Sequence, residues 1–334
     1  MNWIAPLLEW YQENARDLPW RRTCDGYAVW ISEIMLQQTR VAAVIPYYER
    51  FLRELPDIGT LATVDDDRLH KLWEGLGYYS RARNLKKAAS EIVSRFGGQM
   101  PREYHALLSL SGIGEYTAGA IASIAFGEAV PAVDGNVLRV YARLFSAERD
   151  IRDPAFKKEV RAFLLPRVPK EEPGVFNAAL MELGATVCLP NGAPKCGECP
   201  VRSDCVAYRE NRTAELPVLS AKKARKIERK TVFALTMEGR LLGFRRPDNG
   251  LLAGLWQLPE TAGNLSDAEC AAWLGGKGIN PVGELRFYER KHIFTHIEWH
   301  MRVCAAGVSA KTLPEGWILL DESHALPTAY RVCL

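Results

Sequence analysis

Leu107-Leu-Ser-Leu-Ser-Gly112-Ile113-Gly114-Glu-Tyr116-Thr117-Ala-Gly-Ala-Ile121 places two glycines in a tight turn and then opens a helix with small residues. Backbone N–H groups converge at such a helix start, where a phosphate oxygen is a natural ligand. Gly-x-Gly on its own also describes a plain turn. Further along, Ala132-Val-Asp134-Gly-Asn136-Val-Leu-Arg139 puts an aspartate immediately before a glycine, where another helix begins. The Asp134 carboxylate therefore emerges at a helix start near the hairpin. A simple N-cap would account for an aspartate there equally well.

Outward from the hairpin, apolar residues recur with helical spacing up to about residue 210. Ile4, Leu7, Leu8 and Tyr11 form one stripe, and Val41, Val44, Ile45, Tyr48 and Leu52 form another. Between them Val29, Ile31, Ile34, Met35 and Leu36 are too crowded for a surface helix. Further helices are predicted near 65–75, 79–96, 114–127, 134–145, 153–165 and 174–186, punctuated by Gly97-Gly98 and Pro173-Gly174. Past residue 230 the pattern shortens to β-branched and aromatic runs at 231–236, 241–244, 285–288 and 293–303. One helix is expected at 266–274 with Ser266 as its cap. A chain of 334 residues exceeds the usual single domain. The reading is an all-α domain over 1–211, a basic linker over 212–230 and a small α+β domain over 231–334.

Apolar content of 48% with 25% charged residues is that of an ordinary globular protein. No stretch approaches the roughly 18 apolar residues that span a bilayer, so no membrane partner is expected. The N-terminus lacks the pattern of a secretion signal, which points to cytoplasm or a nucleus-like compartment. Net charge is only +3, but Arg212, Lys222, Lys223, Arg225, Lys226, Arg229 and Lys230 crowd the linker. That run serves either as a solvated connection or as a DNA contact.

Two further features carry chemistry. Glu33 stands in the apolar run Trp30-Ile-Ser-Glu-Ile-Met-Leu36, where a carboxylate needs either a salt-bridge partner or a useful shift of its charge state. Four of the eight cysteines fall at Cys188, Cys196, Cys199 and Cys205. A single tight cluster in a large chain reads as a metal site rather than a disulfide scaffold, with zinc as the generic ion.

The hairpin with its aspartate resembles the helix-hairpin-helix of the endonuclease III superfamily of DNA glycosylases. The resemblance implies that Gly112 and Gly114 grip DNA and that Asp134 stabilises the cationic sugar left as a base departs. A fixed anion near C1′ is what an oxocarbenium-like transition state needs. In bifunctional members a lysine two residues after the second glycine attacks C1′. Tyr116 stands there and cannot form an imine, so the resemblance points to a monofunctional enzyme, with an endonuclease III-like glycosylase/AP lyase as the alternative. Arg16-Asp-Leu-Pro-Trp-Arg21, Trp30 to Arg40 and Gly75 to Asn84 narrow it to the MutY-type adenine DNA glycosylases, over nearly the whole chain.

That family's substrate is adenine mispaired with 8-oxoguanine or guanine in double-stranded DNA. Adenine leaves poorly as an anion and well as a neutral base, so a proton donor at N7 is required. The resemblance gives this role to Glu33, which burial would keep protonated, while Asp134 stays ionised. It makes Tyr116 and Asn136 their supports. Because the base must be flipped from the duplex, Arg16, Trp20, Arg21 and Leu36 are expected to line or close its pocket. Thr117 would contact adenine or DNA, Gln38 and Thr39 would wedge the stack, and Tyr78 would intercalate; plain core is the other reading of Tyr78. Ala178 departs from the glutamate or glutamine common in the family.

The cysteines resemble the superfamily's [4Fe–4S] loop, with a first gap of seven residues where six is common. Gly250 to Pro259 resembles the opening of the family's MutT-like (Nudix-related) domain. A true Nudix hydrolase would carry several glutamates on its following helix, whereas 266–274 offers Asp267 and Glu269, so recognition is expected rather than pyrophosphate hydrolysis. Phe294, Thr295 and His296 resemble the loop that inspects 8-oxoguanine, with threonine where serine is common; strand alternation explains their neighbours Ile293 and Ile297. The expected cofactor is one [4Fe–4S] cluster, the partner duplex DNA and the state a monomer.

Overall fold

A computed structural model describes residues 2–221 and 224–334. Lys222 and Lys223 of the basic run therefore lie outside the described residues, as does Met1. The chain divides into two compact units, residues 2–63 with 83–221 and residues 64–82 with 224–334.

The helices are α1 (Ile4–Asn14), α2 (Gly26–Leu36), α3 (Val41–Glu54), α4 (Ile58–Thr63), α5 (Asp66–Trp73), α6 (Ser80–Phe96) and α7 (Tyr104–Leu108). There follow α8 (Glu115–Phe126), α9 (Gly135–Leu144), α10 (Pro154–Leu164), α11 (Pro173–Thr186) and α12 (Val206–Arg209). The longer ones fall where apolar periodicity predicts them. In the first unit α11 packs on α1, α8 and α9, and α2 packs on α3 and α8. The core runs from Trp3 and Leu7 through Val137 and Phe156 to Phe176, Leu180 and Val201. Crowded α2 is buried from Gly26 to Met35, which is why its sequence shows no polar face.

The second unit adds β1 (Lys226–Met237), β2 (Arg240–Arg245), β3 (Trp256–Gln257), β4 (Glu260–Ala262), α13 (Asp267–Gly276), β5 (Asn280–Ile293), β6 (Ile297–Ser309), β7 (Trp317–Leu319) and α14 (Thr328–Arg331). Its mixed sheet has the order β3-β2-β1-β6-β5, with β4 beside β1 and β7 beside β2. Strands β1 and β6 run parallel, Val232 opposite Val303. Alternation sends Val232 and Ala234 to one apolar cluster and Phe233 and Leu235 to the other. Both faces of the sheet are covered, so β1 reads as a continuous apolar run.

Two expectations need correction. The predicted strand over 293–303 is broken at Phe294–His296, a turn between β5 and β6 closed by Phe294 N–H donating to the Ile297 carbonyl (2.9 Å). Strand β1 begins at Lys226, so Lys226, Arg229 and Lys230 belong to the sheet and not to a free linker. Charged residues at its first positions had masked the strand, since there its side chains are mostly exposed.

Candidate active site

Glu33 sits on α2 with 5% of its surface exposed. Tyr116, on the first turn of α8, donates a short hydrogen bond from its hydroxyl to Glu33 Oε2 and lies 3.3 Å from Met181 Sδ. Burial pushes the Glu33 carboxyl up to about 7; the Tyr116 hydrogen bond opposes this and the charge of Asp134 adds to it. The Tyr116 hydroxyl is itself pushed upward, first by burial and then by the Glu33 charge.

Asp134 caps α9. It accepts from Val137 N–H (2.8 Å) and from the Asn136 amide (2.7 Å). Burial raises its pKa above the ordinary carboxylate value, and those donors pull the other way. Arg139 in turn donates to Asn136 Oδ1 and to the Gly184 carbonyl, both at 2.8 Å. The N-cap reading of Asp134 is therefore correct, and it coexists with a place in the cavity. One cap oxygen holds the helix start and the other the amide.

A single cavity of about 1190 Å³ is lined by Glu33, Tyr116, Asp134 and Asn136 together with Arg16, Trp20, Arg21, Leu36, Gln38, Thr39, Gly114 and Thr117. Thr117 accepts from the Gln37 amide at 3.3 Å, and Trp20 is buried edge-on to Tyr48. Gly112 lies apart from the lining; its φ of +75° and the Asn84 side chain, 2.6 Å from where a Cβ would stand, both require glycine. Gly114 instead faces open space at the N-cap of α8. Gln38 and Tyr78 adopt left-handed backbone, φ 58° and 47°, which non-glycine residues hold at a cost. Tyr78 is 48% exposed, and its hydroxyl lies 3.1 Å from Thr295 Oγ1 within the second unit. Thr295 and His296 are exposed on their turn, while Phe294 packs edge-on to Trp299. The turn's carbonyls are held by Arg225 donating to Phe294 (3.1 Å) and Lys226 N–H donating to His296 (3.0 Å).

Sequence reasoning missed Glu182 and Met181 on α11, both lining the cavity. Glu182 carries the same signal as Glu33, a carboxylate in an apolar helical run. It ion-pairs with Arg16 (2.7 Å) and Arg21 (2.6 Å).

The four cysteines of the 188–205 loop are unpaired, and Cys188, Cys199 and Cys205 pack against the core of the first unit. Arg143 donates to Cys188 Sγ at 3.3 Å. Burial pushes the Cys199 thiol up to about 12, and the charges of Cys188, Cys205 and Cys196 add to it, so the four sulfurs sense one another. Among the described residues no three His, Cys, Asp or Glu side chains are gathered closely enough to hold a single metal ion. Cysteine sulfur is the ligand type that iron–sulfur groups take, and one loop supplies all four here. On α13 of the second unit, Glu269 completes a capping box with Ser266, and Asp267 accepts a short bond from Arg302.

Residues 31–166 match the HhH-GPD superfamily of base excision DNA repair proteins, and residues 231–334 match the NUDIX domain. An adenine DNA glycosylase of Homo sapiens is 35% identical over 97% of this chain and 72% of its own length. Among solved structures, a thermostable thymine-DNA glycosylase aligns with a TM-score of 0.56 at 29% identity, covering 62% of this chain and 95% of that one. An endonuclease III in a non-covalent DNA complex aligns at 0.54 with 24% identity, over 62% and 94%, and shares the fold.

Proposed function

The chain belongs to the adenine DNA glycosylases of the HhH-GPD superfamily, and from that membership we propose that it hydrolyses the N-glycosidic bond of adenine mispaired with 8-oxoguanine or guanine in duplex DNA, as a cytoplasmic monomer, at the nucleoid if the source is bacterial. The observation that carries the reading is a pair of carboxylates with different surroundings in one cavity, Glu33 buried and Asp134 half-buried. Glu33 has an apolar helix about it and a single hydroxyl donor; Asp134 has a backbone N–H and an amide.

Those surroundings fit opposite duties. Tyr116 occupies Glu33 Oε2, which leaves Oε1 to carry the proton for adenine N7. As the bond breaks, positive charge at the sugar favours an ionised Asp134, whose hydrogen bonds fix it in place. Water then attacks C1′, and ionised Glu33 takes its proton. Tyr116 offers no amine, so no Schiff base forms and the strand stays intact. Arg16, Trp20, Arg21, Leu36 and Thr117 receive the flipped base. Gly112 and Gly114 approach a phosphate. Gln38 and Thr39 wedge the stack, and Tyr78 intercalates beside the orphaned partner base. Phe294, Thr295 and His296 read the opposite base. Asp267 and Glu269 are engaged within their own fold, which supports recognition by the NUDIX-matched unit in place of hydrolysis.

Cys188, Cys196, Cys199 and Cys205 would hold a [4Fe–4S] cluster. Such a cluster supplies rigidity to its loop, and hydrolysis needs no electrons from it. Iron and acid-labile sulfide in the purified chain, at about four of each per protein, check this; stoichiometric zinc in their place overturns it.

A single-turnover assay with adenine opposite 8-oxoguanine, guanine and thymine tests the reaction. Glu33→Gln is expected to abolish adenine release while duplex binding persists. Unchanged release by that variant would refute the mechanism.

A further inference from the structure

Glu182 is 1% exposed and takes no part in the steps above. It is the charged residue that α11 turns to the cavity, one helical turn beyond Ala178. Its Oε1 accepts from Arg16 N–H (3.1 Å) and Arg16 Nε (2.7 Å). Its Oε2 accepts from Arg16 Nη2 (2.7 Å) and Arg21 Nη2 (2.6 Å). Arg21 then uses Nη1 to donate to the Arg16 carbonyl at 2.9 Å. One carboxylate thus binds two guanidiniums and a backbone amide and folds the 16–21 segment onto α11. Burial would raise its pKa, but the Arg16 and Arg21 hydrogen bonds override this and hold it down at about 2, so it stays ionised.

The two arginines keep part of their surface, with side chains 37% and 21% exposed. They can therefore meet a base entering the cavity. The groups that bear on Glu33 are Tyr116 from α8, Asp134 from the start of α9 and Arg21 from the Pro19–Arg21 turn; α11 contributes Met181 and Glu182 behind them. Arg21 is the cation of this set, and a cation free to approach Glu33 would draw off its proton. We propose that Glu182 is a positioning residue of the excision site, clamping Arg16 and Arg21 into one fixed edge of the base pocket and keeping Arg21 from pairing with Glu33. The proposal rests on Glu33 being the proton donor.

Its test uses the full chain and two substitutions that act in opposite senses. Single-turnover adenine release is followed on both sides of neutral pH, where the rate declines as Glu33 ionises. Glu182→Gln removes a negative charge and releases Arg21, and should move that decline to lower pH by about one unit. Arg21→Gln removes the positive charge and should move it to higher pH. An infrared titration of the Glu33 carboxyl, taken as parent minus Glu33→Gln without DNA, reads the same displacements independently of activity. Opposite displacements support the clamp; a role confined to folding would lower rates without moving either profile. No displacement in Glu182→Gln, or displacements of the same sign, overturns it. Should Glu182→Gln fail to fold, Arg21→Gln alone decides, and an unmoved profile overturns the clamp. If the parent releases no adenine yet the infrared shifts oppose one another, the clamp stands and the substrate reading falls.

Discussion

Folding takes Glu33 from water and so favours its protonated form, which has a cost elsewhere. Its pKa rises from 4.5 to about 7, so the folded chain binds this proton more tightly than the unfolded chain. The resulting stability is fully present below the unfolded value and disappears as pH rises through the folded one, a loss on the order of 3 kcal/mol. Glu33→Gln cannot ionise and escapes that loss. Thermal unfolding at acid and mildly alkaline pH should therefore show a smaller decline for the variant than for the parent; equal declines would mean that Glu33 is not held protonated by burial. At the same scale, His296 stands exposed on its turn and is free to face a base. His296→Ala should lower the preference for 8-oxoguanine over guanine opposite adenine by about fivefold, one lost hydrogen bond, as read from duplex dissociation constants. An unchanged preference would remove His296 from the reading role. What the sequence could not disclose at this scale was partnership: Glu33 and Glu182 look alike along the chain, and only folding gives one a lone hydroxyl and the other two guanidiniums.

Elements carry the positions on which those residues depend. Helices α8 and α9 were legible because each begins with a glycine or aspartate signal and continues in apolar spacing. Short α4 and α7 were not, since six and five residues hold too little periodicity to register. The break between β5 and β6 was hidden from the local pattern, because Phe294, Thr295 and His296 are all compatible with a strand, and only the resemblance implied a loop there. Packing between helices was equally invisible. Gly184 on α11 lies so close to the start of α9 that an added Cβ would stand 2.5 Å from Asn136 Cβ. Neither backbone can yield easily, because Arg139 ties Asn136 to the Gly184 carbonyl. Gly184→Ala should push Asn136 and Asp134 from their places and slow adenine release at least tenfold, while duplex affinity, set by phosphate contacts, stays near that of the parent. Comparable losses in binding and release would show instead that the whole first unit had been disturbed.

At the level of the molecule, residues 64–82 group with the C-terminal unit although they are surrounded in sequence by the helical one. A reading by composition shift could not see this, for α5 is an ordinary amphipathic helix. Its anchors are polar: Asp67 accepts from Trp256 Nε1 at 3.1 Å, and Glu74 accepts from Leu326 N–H at 2.8 Å and pairs with Arg331 at 2.7 Å. The same segment carries Tyr78, whose hydroxyl meets Thr295 on the turn between β5 and β6. Loosening the anchors should therefore separate the tyrosine from the reading turn without touching Glu33 or Asp134, which lie in the other unit. Glu74→Gln keeps the side-chain size and Arg331→Gln shortens it; together they remove the charge-assisted bond, worth about 2 kcal/mol. Adenine release opposite guanine should stay near the parent rate, and the advantage shown by 8-oxoguanine should shrink several-fold in single-turnover rates. Equal slowing on both pairs would mean that the anchors support the chemistry itself. An unchanged ratio would mean that Tyr78 and Thr295 read the duplex independently, and the grouping of residues 64–82 with the sheet would then be a matter of packing alone.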